Sequence, residues 1–260
     1  FLRQMATEQK LNKVAIVTGG GGGIGGAISK GLASCGATVI VLDQSSRNQD
    51  ASSTVKEIQE AGGVADFQEA DVRDPQSIAL AVSTVVSQFG KLDIMVNNAG
   101  IVIRRSALEL SPDEWDTVHE INLRGVFFGC QAAAKEMIKT GGGKIVNTAS
   151  ELAFVTPRSG INASYISSKY GVVSLTRTLS VEWAKHKINV NALAPGPTDT
   201  PMMADTLADA NFYQTTVDEI PLGRVLQPQD MVGAVSFLCS NMSEMITGQI
   251  LIVDGGRTLT

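Results

Sequence analysis

Val14-Ala-Ile-Val-Thr-Gly-Gly-Gly-Gly-Gly-Ile-Gly25 reads as a strand, a glycine turn and the start of a helix. Glycines let the backbone approach a pyrophosphate, and the helix N-terminus adds N–H donors and a positive dipole end. The GxGxxG spacing fits in two registers, Gly20/Gly22/Gly25 and Gly21/Gly23/Gly26, so that match alone carries little information. What informs is the bracket around the run: Thr18-Gly19 closing a strand, and Gly23-Ile24-Gly25 opening a helix. The bland alternative is a flexible strand–helix loop. Asp43 argues against it. It ends the next apolar run, where a carboxylate can accept both ribose hydroxyls of an adenosine and repel a 2′-phosphate. NAD is therefore expected over NADP, with Arg47 just downstream as the residue that could accept the phosphate instead.

The same alternation continues to the end of the chain. Val14–Thr18, Thr38–Leu42, Val64–Glu69, Asp93–Val96, Lys144–Thr148, Ile188–Leu193 and Ile250–Val253 read as strands, β-branched and without polar alternation. Such strands are buried on both faces, as in a parallel sheet. Helices are expected near Ile24–Cys35, Ser52–Ala61, Pro75–Phe89, Ser111–Lys139, Tyr165–His186 and Pro228–Cys239. The repeated βα order predicts an α/β Rossmann fold, a doubly wound seven-stranded parallel sheet with helices on both faces. Residues 1–10 read as a disordered tail, with Met5 as a native start, and 11–260 as one domain. Residues 196–226 break the pattern with Pro197, Pro201 and Pro221, and read as a lid-like insertion.

Bulk properties narrow the function. A net charge of −5 and a pI near 5.1 lack the basic footprint of a nucleic-acid surface. No apolar run is long enough to span a membrane. Cys35, Cys130 and Cys239 read as buried thiols of a reducing, cytoplasmic protein, not a disulfide framework. With only His119 and His186, no zinc-ligand spacing can be written. In the helix after Asn122, Leu123, Phe127, Ala134 and Ile138 share one face, and Gly125, Phe128, Gly129 and Ala132 another. One face is expected to cover the sheet and the other a second subunit.

The chemistry centres on Tyr165 and Lys169, one helical turn apart in Ser-Tyr-Ile-Ser-Ser-Lys. An ammonium beside a phenol favours the phenolate, bringing a group that ordinarily titrates near ~10 toward use as a general base. Two half-exposed helical side chains would be the structural alternative.

With the glycine loop, Asp43, Asn97-Asn98-Ala99-Gly100 and Tyr165-x-x-x-Lys169 in order, the chain resembles the short-chain dehydrogenase/reductase family. The resemblance implies that Asp71-Val72 hold the adenine, and that Asn98-Ala99-Gly100 support the central strand and a cofactor ribose. It implies that Pro195-Gly196, Thr198 and Thr200 meet the nicotinamide, and that Asn122 organises a lysine–water relay. Ser150 matches the catalytic serine, although it lies 15 residues before Tyr165, two more than is usual in the family. Two additional residues are therefore expected in the loop Phe154–Asn162. Thr198 stands where an aliphatic residue is usual.

The implied reaction is NAD-dependent interconversion of a secondary alcohol and a ketone by hydride transfer, in a homotetramer. Tyr165 is the acid/base, Ser150 holds the carbonyl oxygen, and Lys169 binds the ribose and depresses the tyrosine pKa. Asn97–Ser111 and Glu182–His186 look most like sugar-acid dehydrogenases, which suggests a small polyol or sugar acid. Arg104 is a candidate carboxylate partner, with Glu151, Arg158 and Asn162 opposite. Met202, Met203, Leu207, Phe212 and Tyr213 point instead to a cyclic or aryl alcohol. A 3-oxoacyl carrier-protein reductase and a non-catalytic cofactor-sensing module are the remaining alternatives.

Overall fold

A computed structural model describes residues 13–157 and 162–260. Seven strands form one sheet: β1 (Val14–Thr18), β2 (Thr38–Asp43), β3 (Val64–Glu69), β4 (Ile94–Asn97), β5 (Gly143–Thr148), β6 (Ile188–Pro195) and β7 (Ile250–Val253). Their order is β3-β2-β1-β4-β5-β6-β7, and every neighbouring pair is parallel. The chain winds outward from β1 in one direction and from β4 in the other. The crevice between those two strands, at their carboxyl ends, is where such a sheet takes a ligand.

Strand alternation divides the core in two. Val14, Ile16, Ile40, Leu42, Met95 and Ile145 face one layer, made by α3 (Pro75–Phe89), α5 (Gly125–Thr140) and α6 (Ala163–Trp183). Ala15, Val17, Val39, Val41, Ile94 and Val96 face the other, made by α1 (Gly23–Ser34), α2 (Asn48–Glu60) and the later Val232–Cys239 helix. The expectation of strands buried on both faces holds for the middle of the sheet and fails at its rims. Edge strand β3 alternates exposed and buried residues at its start, and β7 is only partly covered.

The helix expected over Ser111–Lys139 is three pieces. Helix α4 (Pro112–His119) opens with a reciprocal cap, in which Ser111 Oγ accepts from Glu114 N and the Glu114 carboxylate accepts from Ser111 N. A π-helical turn, Glu120–Arg124, then carries Asn122 before α5 begins. Helix α5 turns one stripe to the core of its own chain. Val126, Cys130, Ala133 and Met137 form the buried stripe, lying between the two faces read from the sequence. Gly125 closes on Val72, just ahead of α3, and Leu123 closes on Gly171 of α6. Phe127 and Phe128 on the flanking faces are only half-buried, and Ile138 is exposed.

The insertion at 196–226 is pinned at its base by a bridge between Thr198 and Leu226. Leu226 N donates to Pro197 O at 2.9 Å and Asp199 N to Leu226 O at 2.8 Å. Above the bridge lie α7 (Ala204–Leu207) and α8 (Ala210–Asp218), and beyond it α9 (Val232–Cys239).

Candidate active site

The carboxyl ends of β1, β2, β4, β5 and β6 open into one cleft of about 1190 Å³. Its floor at one end is the glycine turn. Gly19 takes a left-handed φ of +61°, and a Cβ at Gly25 would stand 2.1 Å from the Gly19 carbonyl oxygen. These residues bracket the run, and here glycine is obligatory; at Gly22, by contrast, a Cβ would meet nothing. Thr18, a residue to which the sequence reading assigned no site role, ties the turn to β4. Its Oγ1 accepts from Asn98 N at 2.9 Å and Ala99 N at 3.1 Å, while Asn98 Nδ2 donates to Thr18 O at 3.1 Å.

Asp43 ends β2 at the cleft wall and accepts from Gly21 N at 3.3 Å and Gln44 N at 3.0 Å. Burial pushes its carboxyl up, against those two bonds and Arg47. Arg47 pairs with Asp50 at 3.1 Å on the surface. Gly23, Ile24, Val72, Asn98, Ala99 and Gly100 line the cleft, as do Pro195, Gly196, Thr198 and Thr200. Asp71 is absent from that lining. Its carboxylate turns to Arg73, at 2.6 Å, which holds it below the usual carboxylate range. The Thr198 hydroxyl donates back to Gly196 O at 2.9 Å, so it is buried without an orphaned group.

The residues present fit a dinucleotide. A backbone cradle that a side chain would fill, a helix N-terminus and a carboxylate at the β2 end are the donor and acceptor set that a pyrophosphate and a ribose require.

Further along the cleft, Ser150, Tyr165 and Lys169 come together. Ser150 is buried at the end of β5, where its Oγ caps the 3₁₀ turn Glu151–Ala153 by accepting from Leu152 N at 3.2 Å. Lys169 Nζ donates to Thr148 O at 2.7 Å and lies 5.6 Å from the Tyr165 ring centroid. Asn122 is fully buried behind them and does not line the cleft. Its amide clamps Ile101, accepting from the backbone N and donating to the backbone O, each at 2.9 Å. It also donates to Ser168 Oγ at 3.2 Å.

The expected depression of the tyrosine pKa is reversed. Burial pushes the Tyr165 phenol up, helped by Glu151 and opposed by the Ser150 hydroxyl and Arg104. Burial also lowers Lys169 to about 8, so its own charge is weakened by the desolvation that raises the phenol.

Two loops close the substrate end. The segments carrying Arg104 and Asn162 meet through a bridge between Arg105 and Asn162. Arg104 lines the cleft and donates to the Met203 sulfur of the 196–226 segment, whereas Arg105 is engaged by Glu114 at 2.8 Å. Arg158 lies outside the described residues, as does part of the loop Phe154–Asn162. Glu151 is buried against Arg257 from the end of the chain, a contact that nothing in the local sequence announces. Cys130 and Cys239 are buried, with thiols pushed up to about 12 by burial, while Cys35 is only half-buried. No helix among the described residues is long and apolar enough to cross a membrane.

Known proteins are similar to this chain along nearly its whole length. The family model described as enoyl-(acyl carrier protein) reductase matches residues 19–258. The 2-dehydro-3-deoxy-D-gluconate 5-dehydrogenase of Escherichia coli (strain K12) is 40% identical over 246 residues, 94% of each chain. The gluconate 5-dehydrogenase of Gluconobacter oxydans (strain 621H) is 38% identical, over 95% of this chain and 94% of that one. The structure of a gluconate 5-dehydrogenase from Burkholderia cenocepacia J2315 in complex with NADP and tartrate superposes with a TM-score of 0.91. It is 33% identical and covers 97% of this chain and 98% of its own. Likeness of this extent, on a seven-stranded parallel sheet with the glycine turn at its switch point, makes the chain a member of the short-chain dehydrogenase/reductase family, an NAD(P)-dependent oxidoreductase of secondary alcohols.

Proposed function

We propose that this enzyme interconverts a small polyol or sugar acid with its ketone, prefers NAD, and uses Tyr165 as the acid/base. One observation carries the reading: Ser150, Tyr165, Lys169 and Arg104 line a single cleft continuous with the glycine turn. When bound, a nicotinamide supplies the hydride acceptor for the carbinol carbon. In oxidation the Tyr165 phenolate takes the hydroxyl proton, and the Ser150 hydroxyl donates to the oxygen as it becomes a carbonyl. The Lys169 ammonium, held by Thr148 O, offers its remaining donors to a ribose and the proton path. Asn122 holds the Ile101 backbone and the lysine's helix in register.

Arg104 supplies the cation for a sugar-acid carboxylate, and the names of the relatives point the same way. NAD preference rests on Asp43 at the β2 end and on the engagement of Arg47 by Asp50. The reading extends to a homotetramer working in a reducing cytoplasm, where three free cysteines stay reduced.

Initial rates on gluconate-type acids, polyols and cyclic or aryl alcohols, with NAD and NADP, test this directly. Sugar acids or polyols should turn over best. Arg104→Ala should raise KM for the acids, and NAD should be favoured by about tenfold, roughly 1.4 kcal/mol. Met202, Met203 and Phe212 line the same cleft and favour the second reading, an apolar alcohol. Activity confined to apolar alcohols and indifferent to Arg104→Ala would establish that one. Equal use of both cofactors would shift the ribose argument to Arg47.

A further inference from the structure

Beside Ser150 sits a charge cluster that takes no direct part in the hydride and proton transfers. Glu151 is 3% exposed, and its Oε1 accepts from Arg257 Nη1. Its Oε2 is buried without a hydrogen-bond partner, against Gly196, where a Cβ would stand 3.2 Å away. The same guanidinium donates through Nε to Glu219 Oε2 at 3.0 Å, and through Nη2 to that oxygen as well. Glu219 is the C-cap of lid helix α8, and Arg257 opens the 3₁₀ turn after β7. One side chain therefore joins the turn that presents Ser150, 106 residues away, to the lid, 38 residues away. All three residues border the substrate end of the cleft.

We propose that Arg257 and Glu151 are positioning residues of the reaction: the guanidinium fastens the Ser150 turn and lid helix α8 to each other, so that closing the lid and presenting the serine are one event. The proposal rests on the hydride-transfer reading above. A planar guanidinium can hold two carboxylates in fixed directions, which an ammonium cannot do. A half-satisfied buried carboxylate costs stability and is weak evidence for a purely structural role. The pair also acts through charge. Tyr165 faces Lys169 on its own helix, Arg104 from the loop after β4, and Glu151 from the serine turn. Glu151 faces Arg257 and Asp254 from the C-terminal segment and Glu219 from the lid. A carboxylate at Glu151 opposes the tyrosinate.

Hydrogen–deuterium exchange on the intact protein, with steady-state kinetics beside it, tests the coupling. Arg257→Met should quicken exchange in both 151–157 and 210–219. Glu219→Gln should free only the lid, and Glu151→Gln only the serine turn. Turnover in Arg257→Met should fall about 10- to 100-fold, chiefly in kcat, with Arg257→Lys recovering part of it. Glu151→Gln should move the rising limb of the oxidation profile to lower pH, a readout that loose packing alone would not give. Exchange at the wild-type rate in both segments of Arg257→Met overturns the proposal, and so does faster exchange with undiminished kcat. Should Arg257→Met fail to fold, the two glutamine variants, each releasing one arm, carry the test. If no alcohol in the panel is oxidised, the functional reading falls while exchange still reports the clamp. If the clamp fails, Tyr165→Phe still tests the chemistry.

Discussion

Tyr165 meets opposing demands. As a base it must lose a proton, yet burial raises its pKa and the Glu151 carboxylate raises it further. Oxidation needs the phenolate, so its kcat/KM should climb as pH rises into the alkaline range; ketone reduction needs the phenol and should decline there. Tyr165→Phe removes only the ionisable oxygen. Turnover should drop by about 10²–10⁴ while the fold and NADH binding, read by cofactor fluorescence, persist. Turnover within tenfold of wild type would remove Tyr165 from the mechanism. Ser150→Ala should be impaired as well; Ser159 lies outside the described residues. Glu151 gives a stability signature. Burial lifts it from an ordinary 4.5 to about 7, against Arg257. Between those values the folded chain holds a proton that the unfolded chain has lost, so its contribution is present at low pH and fades as pH rises through 7. Thermal melts from pH 5 to pH 8 should show Glu151→Gln gaining on wild type as pH increases. A constant difference would mean that Glu151 titrates normally.

Among the elements, the π turn Glu120–Arg124 does most to build the site. A π turn adds a residue to a helical turn and redirects the helix beyond it. Here it accompanies an asparagine amide that pairs with Ile101 much as a strand neighbour would, at 2.9 Å in both directions. Asn122→Ala leaves a backbone N–H and C=O without partners and should cost about 1–3 kcal/mol in urea unfolding, together with much of kcat. Unchanged stability would show that Ile101 finds other partners. This turn was not legible in the sequence, because the 3.6-residue pattern runs through it and only a buried polar residue betrays it. The strands were legible to within about two residues, because runs such as Val14–Thr18 and Ile188–Leu193 are β-branched and short. Helix α2 begins four residues before the expected Ser52, since Asn48-Gln-Asp reads as loop until Asp50 is seen in its first turn. The glycine turn and the tyrosine–lysine pair were legible because their partners are local in sequence. The contact between Glu151 and Arg257 was not, the two being 106 residues apart and brought together only by the fold.

At the scale of the molecule, the two ends of the sheet differ. Strand β3 closes one end with Asp66, Gln68 and Glu69, charged and polar groups that keep an open edge from pairing with another chain. Strand β7 closes the other end as Ile-Leu-Ile-Val, with no charge and with Leu251 exposed. Met245 and Leu259, which flank it in the sequence, are nearly fully exposed. Helix α6 displays a second set, Tyr170 and Val181, the latter 80% exposed. A net charge of −5 is too small to oppose burying such surfaces. Two separate apolar faces, each able to meet its own copy across a two-fold axis, generate a closed tetramer, whereas one face alone would stop at a dimer. Light scattering at micromolar concentration should therefore report four chains. Leu251→Lys should remove the β7 contact and leave dimers joined through α6, Val181→Glu should leave dimers joined through β7, and the double variant should be monomeric. A monomeric wild type would refute the assembly. A tetramer unmoved by either substitution would mean that the contacts lie on other faces.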